Sequence, residues 1–308
     1  MPLQHTGEIP LPPHVKEGGF DHAAVHGATS RLYVAHTVND ALDVIDCAQD
    51  TYLRSREGLK GVAGALVSDE RGLFFTSNRG EDTVSVFQAG TEAMLARVQV
   101  GVRPNGLAYD PGRNHLLAAN AGDPEVSGSF TVSIVDVARR EMVQTVAVPG
   151  RTRWTVYDPA TDAFYVNIAN PAQILVIAAA DPARIQKTFA IPVAGPHGLD
   201  LDPGSSRLFC ACDGKALLTV DRQSGRVLDQ QPIAGVPDVI FFNPTLRRLY
   251  VAIGDPGVIE VFDAESMRRT ETVATEKGAH TLAFDPVRNK VYAFLPQSCR
   301  AAVYHDEQ

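Results

Sequence analysis

One short pattern recurs seven times along the chain, and this repeat constrains the fold more than any other feature of the sequence. The clearest copy reads RPNGLAYDPGRNHLLAAN, in which an apolar segment meets an Asp-Pro turn and a second apolar segment follows. The other copies are GVAGALVSDERGLFFTSN, TRWTVYDPATDAFYVN, PHGLDLDPGSSRLFCAC, PDVIFFNPTLRRLYVAI, AHTLAFDPVRNKVYAFL and the more divergent FDHAAVHGATSRLYVAH. Each copy predicts a β-hairpin, because β-branched and aromatic residues flank a turn.

Two further strands follow each hairpin. The third strands read ALDVID, TVSVFQ, TVSIVD, ILVIAA, LLTVDR, VIEVFD and AAVYHD, and polar fourth strands such as MVQTVAV or RTETVAT come next. Four strands in a unit of roughly 40 to 50 residues are typical of a propeller blade. The sequence therefore predicts an all-β, seven-bladed β-propeller with four antiparallel strands per blade, and residues 1–308 as a single domain.

The last unit lacks a fourth strand, because the chain ends soon after AAVYHD. The segment TGEIPLP near the first residue belongs to no other unit and has a suitable strand pattern. We expect this N-terminal strand to complete the last blade, since such closure covers the two edges that an open ring would leave unpaired.

The ends of the second strands carry a further signature. They read YVAH, FTSN, LAAN, YVNI, FCAC, YVAI and YAFL, and they resemble the repeats of the YVTN family of seven-bladed propellers over essentially the whole chain. The resemblance implies the propeller fold. It leaves the function open, because the family includes surface proteins and lactone-cleaving enzymes.

Composition narrows the choice of partners. The formal net charge is −8, and no dense run of Lys or Arg provides the basic surface that nucleic acids require. No segment has enough consecutive apolar residues to span a bilayer, and MPLQHTGEIPLPPH does not resemble a secretory signal. We expect a cytoplasmic protein that binds neither nucleic acid nor membrane, and the sequence leaves its oligomeric state open.

Candidate functional residues emerge when the seven units are aligned by their turns. One position falls at the start of each innermost strand, where it should face the mouth of the central channel, and we call these residues the mouth ring: Asp21, Ala63, Asn105, Arg153, His197, Asp238 and His280. Folding does not require ionisable groups here, as Ala63 shows. We expect the acids and histidines of the ring to converge on the channel axis at one face.

Two histidines and two aspartates suit a divalent first-row metal, whereas Ca²⁺ would prefer oxygen ligands alone. The sequence therefore predicts zinc, manganese or iron held by Asp21, His197, Asp238 and His280. The alternative is a solvated rim, in which the same side chains pair with one another and Arg153 neutralises the carboxylates.

The remaining candidates surround this ring. His22 and Asp238 could move a proton, and Arg153 could hold a substrate carboxylate through its planar guanidinium. Four residues are predicted to contact substrate: His36, Asn105, Asn120 and Trp154.

Two functions are consistent with these residues. The first is a metal-assisted hydrolase or lyase that acts on a small polar molecule such as a lactone, with the metal polarising a carbonyl or activating water. The second is a propeller that binds a small ligand or a partner without turnover.

Overall fold

The computed structural model describes residues 3–307, and these form seven four-stranded antiparallel sheets. Blade 1 contains β2 (Ala23–His26), β3 (Arg31–His36), β4 (Ala41–Asp46) and β5 (Thr51–Glu57). Blade 2 contains β6 (Val62–Ser68), β7 (Leu73–Asn78), β8 (Thr83–Gln88) and β9 (Met94–Gln99). Blade 3 contains β10 (Pro104–Asp110), β11 (His115–Asn120), β12 (Thr131–Asp136) and β13 (Glu141–Ala147).

The other four blades follow the same order. Blade 4 contains β14 (Thr152–Asp158), β15 (Ala163–Ile168), β16 (Gln173–Ala178) and β17 (Lys187–Ala190). Blade 5 contains β18 (Pro196–Leu201), β19 (Arg207–Cys212), β20 (Ala216–Asp221) and β21 (Val227–Pro232). Blade 6 contains β22 (Pro237–Asn243), β23 (Arg248–Ile253), β24 (Val258–Asp263) and β25 (Arg269–Ala274). Blade 7 contains β26 (Thr281–Asp285), β27 (Lys290–Leu295), β28 (Arg300–His305) and, from the other end of the chain, β1 (Gln4–Pro10).

The first strand of every blade lies at the centre of a closed ring. Each of these inner strands packs beside the inner strand of the next blade, and β26 returns to pack beside β2. Backbone hydrogen bonds link neighbouring blades near the channel. For example, the His22 amide donates to the Ala63 carbonyl at 3.0 Å. The predicted seven-bladed propeller is thereby confirmed.

The N-terminal strand closes the last blade, as predicted. β1 pairs antiparallel with β28, with Glu8 opposite Ala302 and Ile9 opposite Ala301. The Ile9 side chain is 1% exposed and packs with apolar residues of blades 7 and 1. That residues 1–308 form one domain stays a prediction.

The turns between first and second strands lie at the face opposite the mouth, because each inner strand begins at the mouth and runs to that opposite face. In blade 3, the Asp110 carboxylate accepts hydrogen bonds from the backbone amides of Gly112 (2.9 Å) and Arg113 (3.2 Å). The same side-chain cap occurs at Asp158, Asp202, Asn243 and Asp285. The repeated Asp or Asn is thus explained by local turn chemistry.

The core lies between blades. Apolar residues of neighbouring sheets interdigitate, as where the Phe74 ring stacks on Tyr33 of blade 1 with centroids 4.0 Å apart. The only helical segments in residues 3–307 are two 3-10 turns, Gly27–Thr29 and Thr37–Asn39. None of the helices in this part of the chain has the length and apolar character needed to cross a membrane.

Candidate functional site

The mouth ring is positioned by a bulge at the start of the inner strands. In five blades the pairing with the second strand shifts at this point; in blade 6, Pro237 pairs with Ile253 and the next paired residue is Ile240, opposite Val251. Two residues of the inner strand, Asp238 and Val239, therefore oppose a single residue of its partner. A bulge of this kind re-aims a side chain, and here it brings the ring residues of several blades into contact.

His197 lies at the centre of a network of polar side chains at the mouth. Its Nδ1 lies 2.7 Å from Oδ1 of Asp213, and its Nε2 lies 3.2 Å from Oδ1 of Asp238. Arg153 completes the group, with one guanidinium nitrogen 3.4 Å from Oδ2 of Asp213 and the other 3.3 Å from His197 Nε2. Because both ring nitrogens face carboxylates, the imidazole is best satisfied when both carry protons.

The pKa of His197 reflects this arrangement. Burial alone would lower it, but the carboxylates of Asp238 and Asp213 outweigh burial and raise the pKa to about 9. The positive ring in turn lowers the pKa of the Asp238 carboxyl, even though burial opposes that ionisation. At neutral pH the pair is therefore an imidazolium and a carboxylate.

His280 extends the network toward solvent. Its Nε2 lies 3.7 Å from Oδ2 of Asp238, so that one carboxylate faces two imidazoles. The His280 side chain is 38% exposed, whereas that of His197 is 13% exposed. Both line a surface pocket of about 520 Å³ between blades 5, 6 and 7, together with Lys277 and Gln297.

The opposite side of the mouth is rich in arginine. Arg79 donates to Asp21 Oδ2 at 3.0 Å and to Asn105 Oδ1 at 2.6 Å, which links blades 1, 2 and 3. Arg103 pairs with Asp123 at 2.8 Å. The Nε atoms of Arg79 and Arg153 are buried, and neither has a hydrogen-bond partner within residues 3–307.

Arg151 differs from these three arginines because it has no carboxylate partner. Within the described part of the chain its side chain forms no hydrogen bond and no ion pair. Burial lowers its pKa, and the positive charges of Arg153, Arg79 and Arg103 lower it further, whereas the Asp213 carboxylate opposes this shift. Three guanidinium groups thus act on that of Arg151, and each of the three pairs with a carboxylate of its own: Arg79 with Asp21, Arg103 with Asp123 and Arg153 with Asp213.

His22 and Trp154 form a layer beneath the mouth ring, which we call the floor. The two rings come from blades 1 and 4 and meet across the channel, with centroids 4.0 Å apart. His22 Nε2 lies 3.3 Å from Asp21 Oδ1, but burial outweighs that carboxylate and lowers the pKa of His22. His22 is therefore a neutral imidazole that separates the mouth from the channel below.

Two residues predicted to contact substrate are buried inside their blades. His36 Nδ1 donates to Asp43 Oδ2 at 2.8 Å, its Nε2 lies 2.7 Å from His14 Nδ1, and the residue has no exposed surface. The Asn120 amide donates to Thr131 at 2.9 Å and is also fully buried. The function proposed below therefore uses neither residue.

The sequence alignment did not single out Arg79, Asp213 and Arg151. Arg79 and Asp213 each follow the last residue of a second strand, and the turn there lies at the mouth. Arg151 precedes Arg153 by two residues. The turn position after the second strand is Arg79 in blade 2 and Asp213 in blade 5, so the charge at this position differs between blades. This difference becomes visible only when the turns are aligned as well as the strands.

The predicted metal ligands are arranged as ion pairs. Within residues 3–307, no group of three or more His, Cys, Asp or Glu side chains is placed to hold a metal ion. His197 offers no free ring nitrogen, since Asp213 and Asp238 occupy both. A divalent metal at the mouth stays a prediction, and no step proposed below passes through one.

A pH dependence of stability follows from His197. Because its folded pKa is raised from 6.5 to about 9, its pairing should stabilise the fold fully below pH 6.5. That contribution should decline between these two values and vanish above about 9. We expect His197→Gln to lose about 2 kcal/mol of unfolding free energy at pH ~6 and much less at pH ~10. Urea denaturation of both proteins at each pH measures the difference, and a loss that is equal at both pH values would contradict the imidazolium assignment.

Comparison with known proteins identifies the fold and nothing finer. No family model matches the chain, and a search of curated proteins found no match, so that the resemblance to YVTN repeats stays a prediction. A solved structure of Kuenenia stuttgartiensis hydrazine synthase is similar over 94% of this chain and 96% of that chain, with a TM-score of 0.82 and 14% sequence identity. At that identity the likeness shows a shared propeller fold alone.

Proposed function

We propose that the mouth binds a small organic anion, such as a molecule with one or two carboxylates. The observation that carries this proposal is Arg151, a guanidinium without a carboxylate partner, beside three other guanidinium groups that lower its pKa. Like charges repel, and a cluster of this kind is stabilised when an anion enters it. The unpaired Nε donors of Arg79 and Arg153 support the same conclusion.

Arginine suits this task because its planar group can donate two parallel hydrogen bonds to one carboxylate. The His197 imidazolium adds a fixed positive charge on the far side of Arg153. The protein as a whole has a formal net charge of −8, so the arginine side of the mouth differs in sign from the average surface. Such local charge attracts anions to the mouth and orients them there.

A second candidate, turnover of the bound molecule by a hydrolase or lyase reaction, is favoured by His280. Its imidazole faces the pocket and contacts the Asp238 carboxylate, an arrangement that can accept or donate a proton. A lactone-like substrate would place its carbonyl near the imidazolium and its acid product on the arginines. Asp238 would hold His280 in position, while His22 in the floor would take no part.

The test is calorimetric titration with malonate and citrate as probes. We expect wild-type protein to bind at least one of them, and Arg151→Gln to bind it roughly ten- to a hundredfold more weakly, because one charge-assisted hydrogen-bond pair is lost. Arg139→Gln is the matched control, since Arg139 is an exposed arginine in the turn between β12 and β13, at the opposite face.

Affinity should also fall as salt concentration rises, since exposed charges are screened. Equal binding by wild type and Arg151→Gln would contradict the proposal, as would the absence of binding to any small anion in a broader panel. Hydrolysis of a lactone probe such as γ-butyrolactone, abolished by His280→Gln, would establish the second candidate.

A further inference from the structure

A second cavity lies in the central channel on the other side of the floor. Its volume is about 410 Å³, and the inner strands of blades 1 to 6 form its walls. Trp154 and His22 close it toward the mouth, and residues of the opposite face, including Asp69, Glu70 and Pro111, surround its open end. The mouth and this lower cavity are therefore separate compartments of one channel.

Between the floor and the acids of the open end, one charged side chain interrupts the wall of the lower cavity within residues 3–307. The third residue after the mouth ring lines the cavity in six blades, and in five of them it is apolar: Ala24, Leu66, Ala108, Val156 and Phe241. Its equivalent in blade 7, Ala283, is also apolar and is buried in the core between blades 7 and 1. In blade 5 the same position is Asp200. Since six blades fold with an apolar residue there, the propeller itself does not require an acid at this point.

Asp200, which is half-buried in the cavity wall, lacks the cation that the buried acids of residues 3–307 have. Its Oδ2 accepts from the Phe242 amide at 2.7 Å and its Oδ1 from its neighbour's amide, Leu201, at 2.8 Å. No Arg, Lys or His within residues 3–307 pairs with it. Eight buried acids in this part of the chain each have a basic partner: Asp43, Glu92, Asp110, Asp158, Asp202, Glu260, Asp285 and Asp306.

We propose that the lower cavity binds a small aromatic or alkyl amine, whose ammonium group pairs with Asp200 and whose apolar part fills the channel. A carboxylate in a largely apolar wall without a cation is costly, and a cationic ligand would supply the missing partner. Burial raises the pKa of Asp200 to about 7, so the carboxyl gains most from such a partner at neutral pH. Trp154 and Phe241 add aromatic faces that attract a cation or stack on a ring.

The volume fits this class of ligand. An apolar cavity of about 150 Å³ can hold benzene, so the lower cavity has room for a ring and a short amino-alkyl chain. The site needs nothing from the arginines of the mouth, because the floor lies between them. This inference is therefore independent of the anion proposal.

The single tryptophan provides a direct signal, since Trp154 lines the lower cavity and is the only indole in the chain. We expect 2-phenylethylamine to change the tryptophan fluorescence of wild-type protein in a saturable way. Asp200→Asn should weaken its binding at least about tenfold, because the charge-assisted pair is lost. Ethylbenzene, which has no amine, should bind wild type and Asp200→Asn equally.

Two further variants separate the lower cavity from other sites. Ala24→Leu should exclude both probes by filling space in the channel wall, and it keeps the test valid if Asp200→Asn fails to fold. Asp181→Asn, an exposed acid that pairs with Arg184 at the surface, is the control for the loss of one negative charge. Arg151→Gln should leave amine binding unchanged.

The proposal is overturned if 2-phenylethylamine does not bind wild type, or binds Asp200→Asn as tightly as wild type. Retained binding by a folded Ala24→Leu protein would place the amine elsewhere and would also overturn it. Loss of amine binding in Arg151→Gln would assign the signal to the mouth.

Discussion

Deletion of residues 1–12 should reduce the unfolding free energy by about 5 kcal/mol or more, or prevent folding altogether. The deletion removes β1, the outer strand of blade 7, and leaves β28 as an open edge. It also removes Leu3, Ile9 and Leu11, each of which is buried. Loss of a single buried residue of this size costs about 2–5 kcal/mol, and backbone hydrogen bonds to β28 are lost as well.

Glu8→Gln is the control on the same strand. Glu8 is partly exposed and pairs with Arg300 at the surface, at 2.5 Å, so this change should cost less than about 1 kcal/mol. Melting curves and urea denaturation compare the three proteins. A deletion variant that melts like wild type would show that closure by β1 contributes little to stability.

Gly198→Val should destabilise the protein by about 3 kcal/mol or more and should also distort the mouth. A Cβ on Gly198 would lie 2.4 Å from the backbone oxygen of Asp238 and 3.1 Å from Ile240. The first contact is with backbone of the next blade, so blades 5 and 6 must move apart. Because Asp238 would move with its backbone, its contact with His197 should also weaken.

Gly7→Val is the matched control, because a Cβ there would meet nothing within 4 Å. Gly7 lies in an exposed outer strand, where a β-branched residue is favourable, so this variant should be as stable as wild type. Denaturation measures the loss of stability, and NMR of the His197 ring measures its pKa. A Gly198→Val protein with wild-type stability would contradict the close packing of the two inner strands.

The fold could be predicted because its determinants are local and repeated. Every unit repeats the same hairpin, and in five of the seven blades an Asp or Asn side chain caps its turn, as at Asp110. Closure by β1 could be predicted because the last unit lacked its fourth strand and the N-terminal strand belonged to no other unit. In both cases counting strands was sufficient, and no knowledge of side-chain packing was needed.

The mouth could be predicted only in part. The alignment grouped the residues of the inner strands, and the structure brings His197, Asp238 and His280 together. The alignment could not show that the carboxylate of Asp213, a turn residue, pairs with Nδ1 of His197. That contact decides whether the imidazole can bind a metal, and it depends on how a turn of the same blade folds back over the mouth.

Strand alternation explains why His36 and Asn120 lie elsewhere. Successive side chains of a strand point to opposite faces, so a residue at the end of a second strand can face inside its blade. Asn120 faces the third strand, where it bonds Thr131 and Ser133. Asp200 has a sequence signal of its own, because it is an acid where the other six units have apolar residues. It lies below the mouth, so the alignment of the mouth ring did not include it.

Anomalous diffraction from crystals soaked in selenate tests the anion site most directly, because selenium locates the anion itself. We expect a selenium peak within hydrogen-bonding distance of the Arg151 and Arg153 guanidinium groups. The peak should be absent from Arg151→Gln crystals and retained in Arg139→Gln crystals. A mouth without selenium at concentrations that saturate binding in solution, or a peak unaffected by Arg151→Gln, would show that the arginines of the mouth do not form an anion site.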